Sequence, residues 1–106
     1  MATPTDTNRD LLTVIARMHA KPGKEQALRD ALVALVEPTS QEKGYVNYDL
    51  HQGVEDPDRF LSYENRESDE DWDAHLAAAH LIASAARIPE LLGDAGLTVS
   101  RVRRIA

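Results

Sequence analysis

The stretch GYVNYDLHQ at residues 44–52 is followed by GVEDPD at 53–58 and by RFLSYENRE at 59–67. The first and third stretches have the length and the aromatic and apolar content of strands. The middle stretch contains glycine and Asp-Pro-Asp, which favour a turn. A connection this short joins neighbouring antiparallel strands. The three stretches together predict a β-hairpin near the centre of the chain.

Two helical regions separate this hairpin from the ends of the chain. In the first, apolar residues recur at helical spacing, and Pro38 removes a backbone donor, which predicts a kink. The second begins at Ser68, whose side chain is expected to cap it. Its apolar stripe changes register near residues 78–80, which predicts a bend, and Gly93 and Gly96 are expected to end it.

The remaining strands are LLTVIARMHA at 11–20 and LTVSRVRRI at 97–105, so the elements follow the order β-α-β-β-α-β. This order predicts an α+β protein of the ferredoxin-like type, with a four-stranded antiparallel sheet and its helices on one face. Residues 1–10 are expected to form a disordered N-terminal tail, and residues 11–106 a single domain.

The composition argues against several classes of function. The net charge of −6 disfavours nucleic acid or an anionic membrane as the main partner. The absence of cysteine excludes disulfides, thiolate metal sites and a cysteine nucleophile, and it is consistent with a cytoplasmic protein. No apolar run approaches the roughly 20 residues of a membrane span, so no membrane association is expected.

Alternation along the second strand divides its side chains between two faces. Tyr48 and Leu50 share one face, and Asn47, Asp49 and His51 share the other. Since the helices cover only one side of the sheet, this polar row is expected on the free face. There it would either meet water or line an enclosed space.

The third strand predicts that the free face is covered. Alternation puts Phe60, Ser62, Glu64 and Arg66 together, and an aromatic ring in this otherwise polar row suggests a partner. A second copy of the same sheet is the economical cover, because symmetric dimers are the commonest oligomers. We therefore expect a homodimer in which Glu64 is desolvated beside Arg66.

Four histidines, His19, His51, His75 and His80, are the main candidates for proton transfer near neutral pH. His75 and His80 are five residues apart, about 500° around a helix. They do not share a helical face, so no metal site is expected unless the bend brings them together. The competing interpretation is structural, because Trp72 starts an apolar stripe and His75 beside it would then be a half-buried packing residue.

Four motifs together resemble the antibiotic biosynthesis monooxygenase (ABM) family: IARMHAKPGKEQALRDALVALVEPT, GYVNYDLHQ, RFLSYENRES and DAHLAAAHL. The similarity extends from about Leu11 to Arg104. It implies a ferredoxin-like protomer within a dimeric α+β barrel, with a cavity between the sheet and the helices or near the interface. It also implies that molecular oxygen oxidises a phenolic or quinol-type aromatic substrate without metal, flavin or other cofactor.

The resemblance implies roles for particular residues. Tyr63-Glu64 matches the family's Tyr-Glu at the end of the third strand, and His75 and His80 match its two spaced histidines. His75 would accept the proton of the substrate, and Glu64 would orient His75 or the substrate. The expected substrate-binding residues are Asn47, His51, Arg66 and His80, with Arg66 holding an anionic oxygen.

Some positions depart from the family's pattern and leave other activities open. Arg66 stands where many members carry tryptophan, and Ala78-Ala79 stands where many carry Ser-Pro. Haem-degrading relatives need groups that are missing at Ala16, Arg66 and about Ala85, which disfavours haem degradation. The alternatives are a small-molecule isomerase or hydrolase that uses the same pocket, and a non-catalytic ligand-binding dimer.

Overall fold

The computed structural model describes residues 10–106, so nearly all of the expected N-terminal tail lies outside the described residues. The elements are β1 (Leu12–Ala20), α1 (Glu25–Val33), α2 (Val36–Ser40), β2 (Tyr45–Gln52), β3 (Arg59–Arg66), α3 (Asp69–Leu76), α4 (Ala79–Arg87), a short 3-10 helix (Ile88–Leu91) and β4 (Leu92–Val102). The strands form one antiparallel sheet in the order β2-β3-β1-β4. The predicted ferredoxin-like α+β fold is confirmed.

Both helical regions are interrupted, and in each case local chemistry accounts for the break. Pro38 has no amide hydrogen to donate to the carbonyl of Ala34, and its ring crowds that carbonyl. The helix is therefore interrupted, with α1 ending at Val33 and α2 beginning at Val36. The second region breaks before Ala78, whose backbone is extended (φ −69°, ψ 146°). This confirms the predicted bend. Within residues 10–106, no helix is long and apolar enough to cross a membrane.

The last strand begins at Leu92, five residues before its predicted start. Leu92 pairs with Ala20 and Leu97 pairs with Met18, so five steps along β4 span two steps along β1. The intervening residues therefore bulge out of the ladder. The bulge contains the two glycines that the sequence pattern assigned to the end of the helix, Gly93 and Gly96.

The hydrophobic core fills the space between the helices and one face of the sheet. Met18, Tyr48 and Phe60 from the strands pack with Leu28 and Leu32 from α1. A second buried cluster includes the only tryptophan of the chain and consists of Leu12, Val14 and Trp72. The expectation that Trp72 belongs to the core is confirmed.

The strand register assigns each side chain to the helix-covered face or to the free face, because directly opposed residues share a face. Tyr48 pairs with Glu64, and Glu64 pairs with Val14 of the buried cluster. These residues therefore lie beneath the helices. Asn47 pairs with Asn65 and lies on the free face, as do Asp49 and His51, in agreement with the prediction for β2.

The prediction for the faces of β3 is wrong. Phe60 is in the core beneath α1, and alternation carries Ser62, Glu64 and Arg66 to the same helix-covered side. Arg66 is only 1% exposed and Glu64 only 3%. The polar row was assigned to the free face because strand residues of this kind usually meet water, whereas here their charges pair with one another under the helices.

Gly44 forms the entry to β2 in a conformation that favours glycine, with φ at +78°. A Cβ at this position would overlap the carboxyl group of Asp71 and lie 2.7 Å from its Cβ. Asp71 has little freedom to move away, because its carboxylate accepts a hydrogen bond from Ser68 Oγ at 2.9 Å. The start of β2 is therefore packed directly against the first turn of α3.

Gly44→Ala is expected to lower the free energy of unfolding by more than the matched variant Gly23→Ala. Gly23 has a similar φ of +80° but open space around the position of a Cβ. Both variants carry the backbone cost of about 1–3 kcal/mol, and only Gly44→Ala adds the overlap with Asp71. Urea unfolding of the two proteins measures the difference, and equal losses would contradict the packing argument.

Candidate active site

Five ionisable side chains meet between the helix-covered face of the sheet and the second helical region. Glu64 and Arg66 come from β3, His75 comes from α3, and His80 comes from α4. Glu42 comes from the loop between α2 and β2. Arg66, Glu64 and His75 are each at most 5% exposed, so their ionisable groups are largely withdrawn from water.

Glu42 is the centre of this cluster. Its Oε1 accepts a hydrogen bond from Arg66 Nη1 at 2.8 Å. Its two oxygens lie 2.7 and 2.9 Å from His75 Nδ1. Oε2 also lies 2.7 Å from His80 Nε2, but the angles are not those of a hydrogen bond, and this nitrogen has no hydrogen-bond partner among the described residues.

Arg66 joins the two carboxylates of the cluster. Its Nε and Nη2 donate to Glu64 Oε1 at 3.1 and 3.0 Å, while Nη1 bonds Glu42. The guanidinium carbon lies 5.9 Å from the centroid of the Trp72 ring, close enough for a cation–π contact. The buried arginine therefore compensates two carboxylates and rests on the ring that packs beside His75.

The protonation states follow from these contacts. Burial raises the pKa of Glu42, but hydrogen bonds from Arg66 and His75 bring it below its usual value. Burial raises the pKa of Glu64 more than Arg66 lowers it. Burial, followed by the charge of Arg66, lowers the pKa of His75 more than Glu42 raises it. A neutral His75 whose Nδ1–H donates to an ionised Glu42 is therefore favoured, which leaves Nε2 as a proton acceptor.

A pocket of about 330 Å³ borders this histidine and is lined by Glu42, Lys43, Glu70, Asp71, Ala74, His75 and Ala78. This volume lies within the range of small-molecule sites. The Trp72 ring, whose centroid is 5.3 Å from that of His75, packs against the imidazole and limits its rotation. The arrangement places an oriented base beside a small pocket that opens to solvent past the exposed residues Lys43, Glu70 and Ala74.

A larger pocket of about 520 Å³ lies elsewhere, at the end of the sheet that includes His51. Its lining residues Arg17, His51 and Arg59 are exposed. Acid–base catalysis depends on groups whose surroundings shift their pKa, and Glu42 and His75, whose pKa values are both shifted, line the smaller pocket. The smaller pocket is therefore the stronger candidate for chemistry.

The structure brings together four of the six residues expected from the sequence, namely Glu64, Arg66, His75 and His80. The sheet separates the other two, Asn47 and His51, from this cluster. Glu64 bonds Arg66 rather than His75, and the carboxylate that holds His75 belongs to Glu42. Sequence analysis missed Glu42 because it lies in a loop without periodicity and is 33 residues away from His75.

Asn47 belongs to a separate row of hydrogen bonds on the free face. Thr13 Oγ1 donates to Asn65 Oδ1, and Asn65 Nδ2 donates to Asn47 Oδ1 at 2.9 Å. Asn47 Nδ2 donates in turn to Asp49 Oδ2 at 3.0 Å. Because these amides are buried and bond one another, the row joins β1, β3 and β2 across the sheet.

The chain is a ferredoxin-like protein with a cluster of acidic and basic side chains between its sheet and its second helical region. The sequence model of the antibiotic biosynthesis monooxygenase family matches residues 11–87. The chain therefore belongs to the antibiotic biosynthesis monooxygenase family.

Two relatives illustrate the similarity. The Mycobacterium tuberculosis protein named "Putative monooxygenase Rv0793" is 33% identical over 81 residues, which cover 76% of this chain and 79% of that protein. The solved structure of Rv0793 superposes with a TM-score of 0.84, covering 91% of this chain and 96% of the other. The crystal structure of PA3566 from Pseudomonas aeruginosa is 32% identical, with a TM-score of 0.85 and coverage of 92% and 96%.

Proposed function

We propose that this protein is a monooxygenase that oxidises a phenolic or quinol-type aromatic molecule with molecular oxygen and requires neither metal nor flavin. The observation that carries the proposal is the buried Glu42–His75 pair beside a pocket of small-molecule size. Membership in the family and the name of the mycobacterial relative support the reaction class. The phenolic or quinol class of substrate is what the resemblance to oxygenases of this family implies, and a deprotonated aromatic of this kind can donate an electron to oxygen without a cofactor.

An anthrone-type substrate illustrates the proposed reaction. His75 Nε2 removes a proton from the ring carbon, and the resulting carbanion is delocalised over the phenolate system. This electron-rich species donates one electron to oxygen, and the radical pair combines to form a carbon–oxygen bond. His75 returns its proton to the peroxide. The same carbon then loses its second proton as the O–O bond breaks, that proton and the departing hydroxide form water, and the carbon becomes a quinone carbonyl. One oxygen atom enters the product and the other leaves as water.

Each remaining member of the cluster has a supporting role in this scheme. Glu42 fixes the Nδ1–H tautomer of His75 and stabilises the imidazolium that forms during the reaction. Arg66 and Glu64 hold Glu42 in place through the buried ion pairs. Trp72 keeps the base in a low-dielectric setting that strengthens its interaction with Glu42. His80 is a further polar contact at the edge of the cluster.

We also propose that the protein acts as a homodimer that associates through the free face of the sheet. Ile15, Leu61 and Tyr63 on this face are only partly buried in the single chain. A second sheet would cover them and would bring Asn47 and His51 close to the interface. Sedimentation equilibrium measures the mass directly, and a monomer at micromolar concentration would contradict this assembly.

The test of the proposed function is oxygen consumption by the purified protein. Anthrones, dihydroxynaphthalenes and quinols are offered in turn, with and without EDTA. Uptake above autoxidation that persists with EDTA is the expected result. Absence of uptake across the panel would refute the proposal, and conversion of substrate under nitrogen would favour an isomerase instead.

A further inference from the structure

We infer that Glu42, His75 and His80 form a binding site for a divalent transition-metal ion of the Zn²⁺ type. The inference concerns binding alone and does not depend on the proposed oxidation. It runs against the sequence-based expectation that His75 and His80 are too far apart around a helix to share a ligand. The break before Ala78 removes the single helix on which that expectation rests.

The donor atoms converge as a metal site requires. His75 Nδ1, His80 Nε2 and a carboxylate oxygen of Glu42 all lie within 4.8 Å of one another. The rings of the two histidines meet edge to face, with centroids 6.1 Å apart. Two imidazoles and a carboxylate are a donor set that suits zinc and neighbouring first-row metals, and catalytic zinc sites use three protein ligands of this kind.

His80 supplies the observation that most favours a ligand. Its Nε2 is buried and lies 2.7 Å from Glu42 Oε2, but no hydrogen bond forms between the two atoms. A buried ring nitrogen without a hydrogen bond costs free energy unless another partner satisfies it. A cation coordinated by both this nitrogen and the carboxylate oxygen would provide that partner.

Neighbouring side chains hold the three donor atoms in position and balance their charge. Arg66 binds Glu42 Oε1 and so leaves Oε2 directed at both histidines. Carboxylate ligands held by an outer hydrogen bond in this way are common in metal sites. Glu64 pairs with the same guanidinium and compensates the positive charge that would otherwise oppose a cation.

The remaining coordination position would open toward the pocket of about 330 Å³ that Glu42 and His75 border. Three protein ligands with one open position leave room for water or a small ligand. A metal on His75 Nδ1 would replace the proton that this nitrogen donates to Glu42. Metal binding and the Glu42–His75 hydrogen bond therefore exclude one another, so saturating Zn²⁺ should suppress the metal-free reaction.

The experiment is a calorimetric titration of the full chain with Zn²⁺, after treatment with EDTA and dialysis. We expect saturable binding of one ion per chain, accompanied by a change in the fluorescence of Trp72, whose ring packs against His75. His80→Ala should weaken binding by about 100-fold or more, because even outer-shell changes cost about 10- to 100-fold. His51→Ala removes a histidine on the other face and should bind as the parent protein does.

Three results would overturn the inference. These are the absence of saturable binding, unchanged affinity in His80→Ala, and loss of binding in His19→Ala alone. The last result would assign the metal to the exposed cluster of His19, Asp56 and Asp58. Circular dichroism verifies the fold of each variant, and Glu42→Gln provides a second loss of ligand if His80→Ala misfolds. Binding is measured without substrate, so failure of the oxidation proposal leaves this result unaffected.

Discussion

Replacement of His75 by alanine is expected to lower the rate of oxygen uptake by about 10²- to 10⁴-fold, the usual contribution of a positioned general base. The ring is 5% exposed, is hydrogen-bonded to Glu42 and borders the pocket. The described cluster contains no second base held in the same way, because His80 lacks a hydrogen bond to Glu42. The measurement is kcat from oxygen-electrode traces at saturating substrate.

The same measurement of kcat compares the contribution of His75 with that of Glu42, the carboxylate that orients it. Glu42→Gln keeps the size of the side chain but removes its charge, so kcat should fall in the same direction as in His75→Ala. The double variant should lose little beyond the more damaging single change, because residues that act as a unit are not additive. His19→Ala is the matched control, since His19 lies near Asp58 and away from the cluster. Equal activity in His75→Ala and His19→Ala would exclude His75 as the base.

Arg66→Met is expected to lower the free energy of unfolding by about 3–5 kcal/mol, the cost of leaving buried charges without their partner. Arg66 is 1% exposed and bonds both Glu42 and Glu64. Methionine fills part of the volume of the arginine side chain. The loss of unfolding free energy therefore arises mainly from the two carboxylates that lose their partner. Arg103→Met is the control, because the Arg103–Asp69 pair is exposed, and such pairs contribute at most about 1 kcal/mol. Denaturant unfolding compares the two variants.

The amount by which Arg66→Met lowers the free energy of unfolding should depend on pH. Burial already raises the pKa of Glu64 above its ordinary value of 4.5, and the charge of Arg66 limits that rise. Without Arg66 the folded-state pKa rises further, so the folded state binds more protons than the unfolded state above pH 4.5. The free energy of unfolding of the variant therefore falls as pH rises through the folded-state pKa of Glu64. Its difference from the parent protein shrinks on acidification. A difference that grows in acid would contradict the role assigned to Glu64.

Much of the fold could be predicted because local signals agreed with one another. The hairpin around residues 53–58 combined turn chemistry with two short strands, and both predicted breaks in the helical regions are present. The apolar stripe of the first region is buried, whereas the stripe of the second region is not buried along α4, because α4 has no buried residue. The start of β4 could not be predicted, because glycines in a bulged strand resemble glycines that end a helix. Only the pairing with β1 distinguishes the two cases.

The candidate site was predicted in part, and the errors have a common physical origin. His75 and His80 were found because their motif resembles a family, but their convergence depends on the break before Ala78. Glu64 and Arg66 were placed on the wrong face, because a strand pattern does not reveal whether polar residues meet water or one another. Glu42 carried no signal, since a loop residue acquires its partners only through the tertiary fold.

Glu64 and Asn65 are neighbours in the chain that lie on opposite sides of the sheet. Glu64 joins the buried ion pairs beneath the helices, and Asn65 joins the amide row of the free face. These two adjacent residues of β3 therefore contribute to opposite faces of the sheet. A substitution at residue 65 would act on the amide row of the free face, and a substitution at residue 64 would act on the ion pairs beneath the helices.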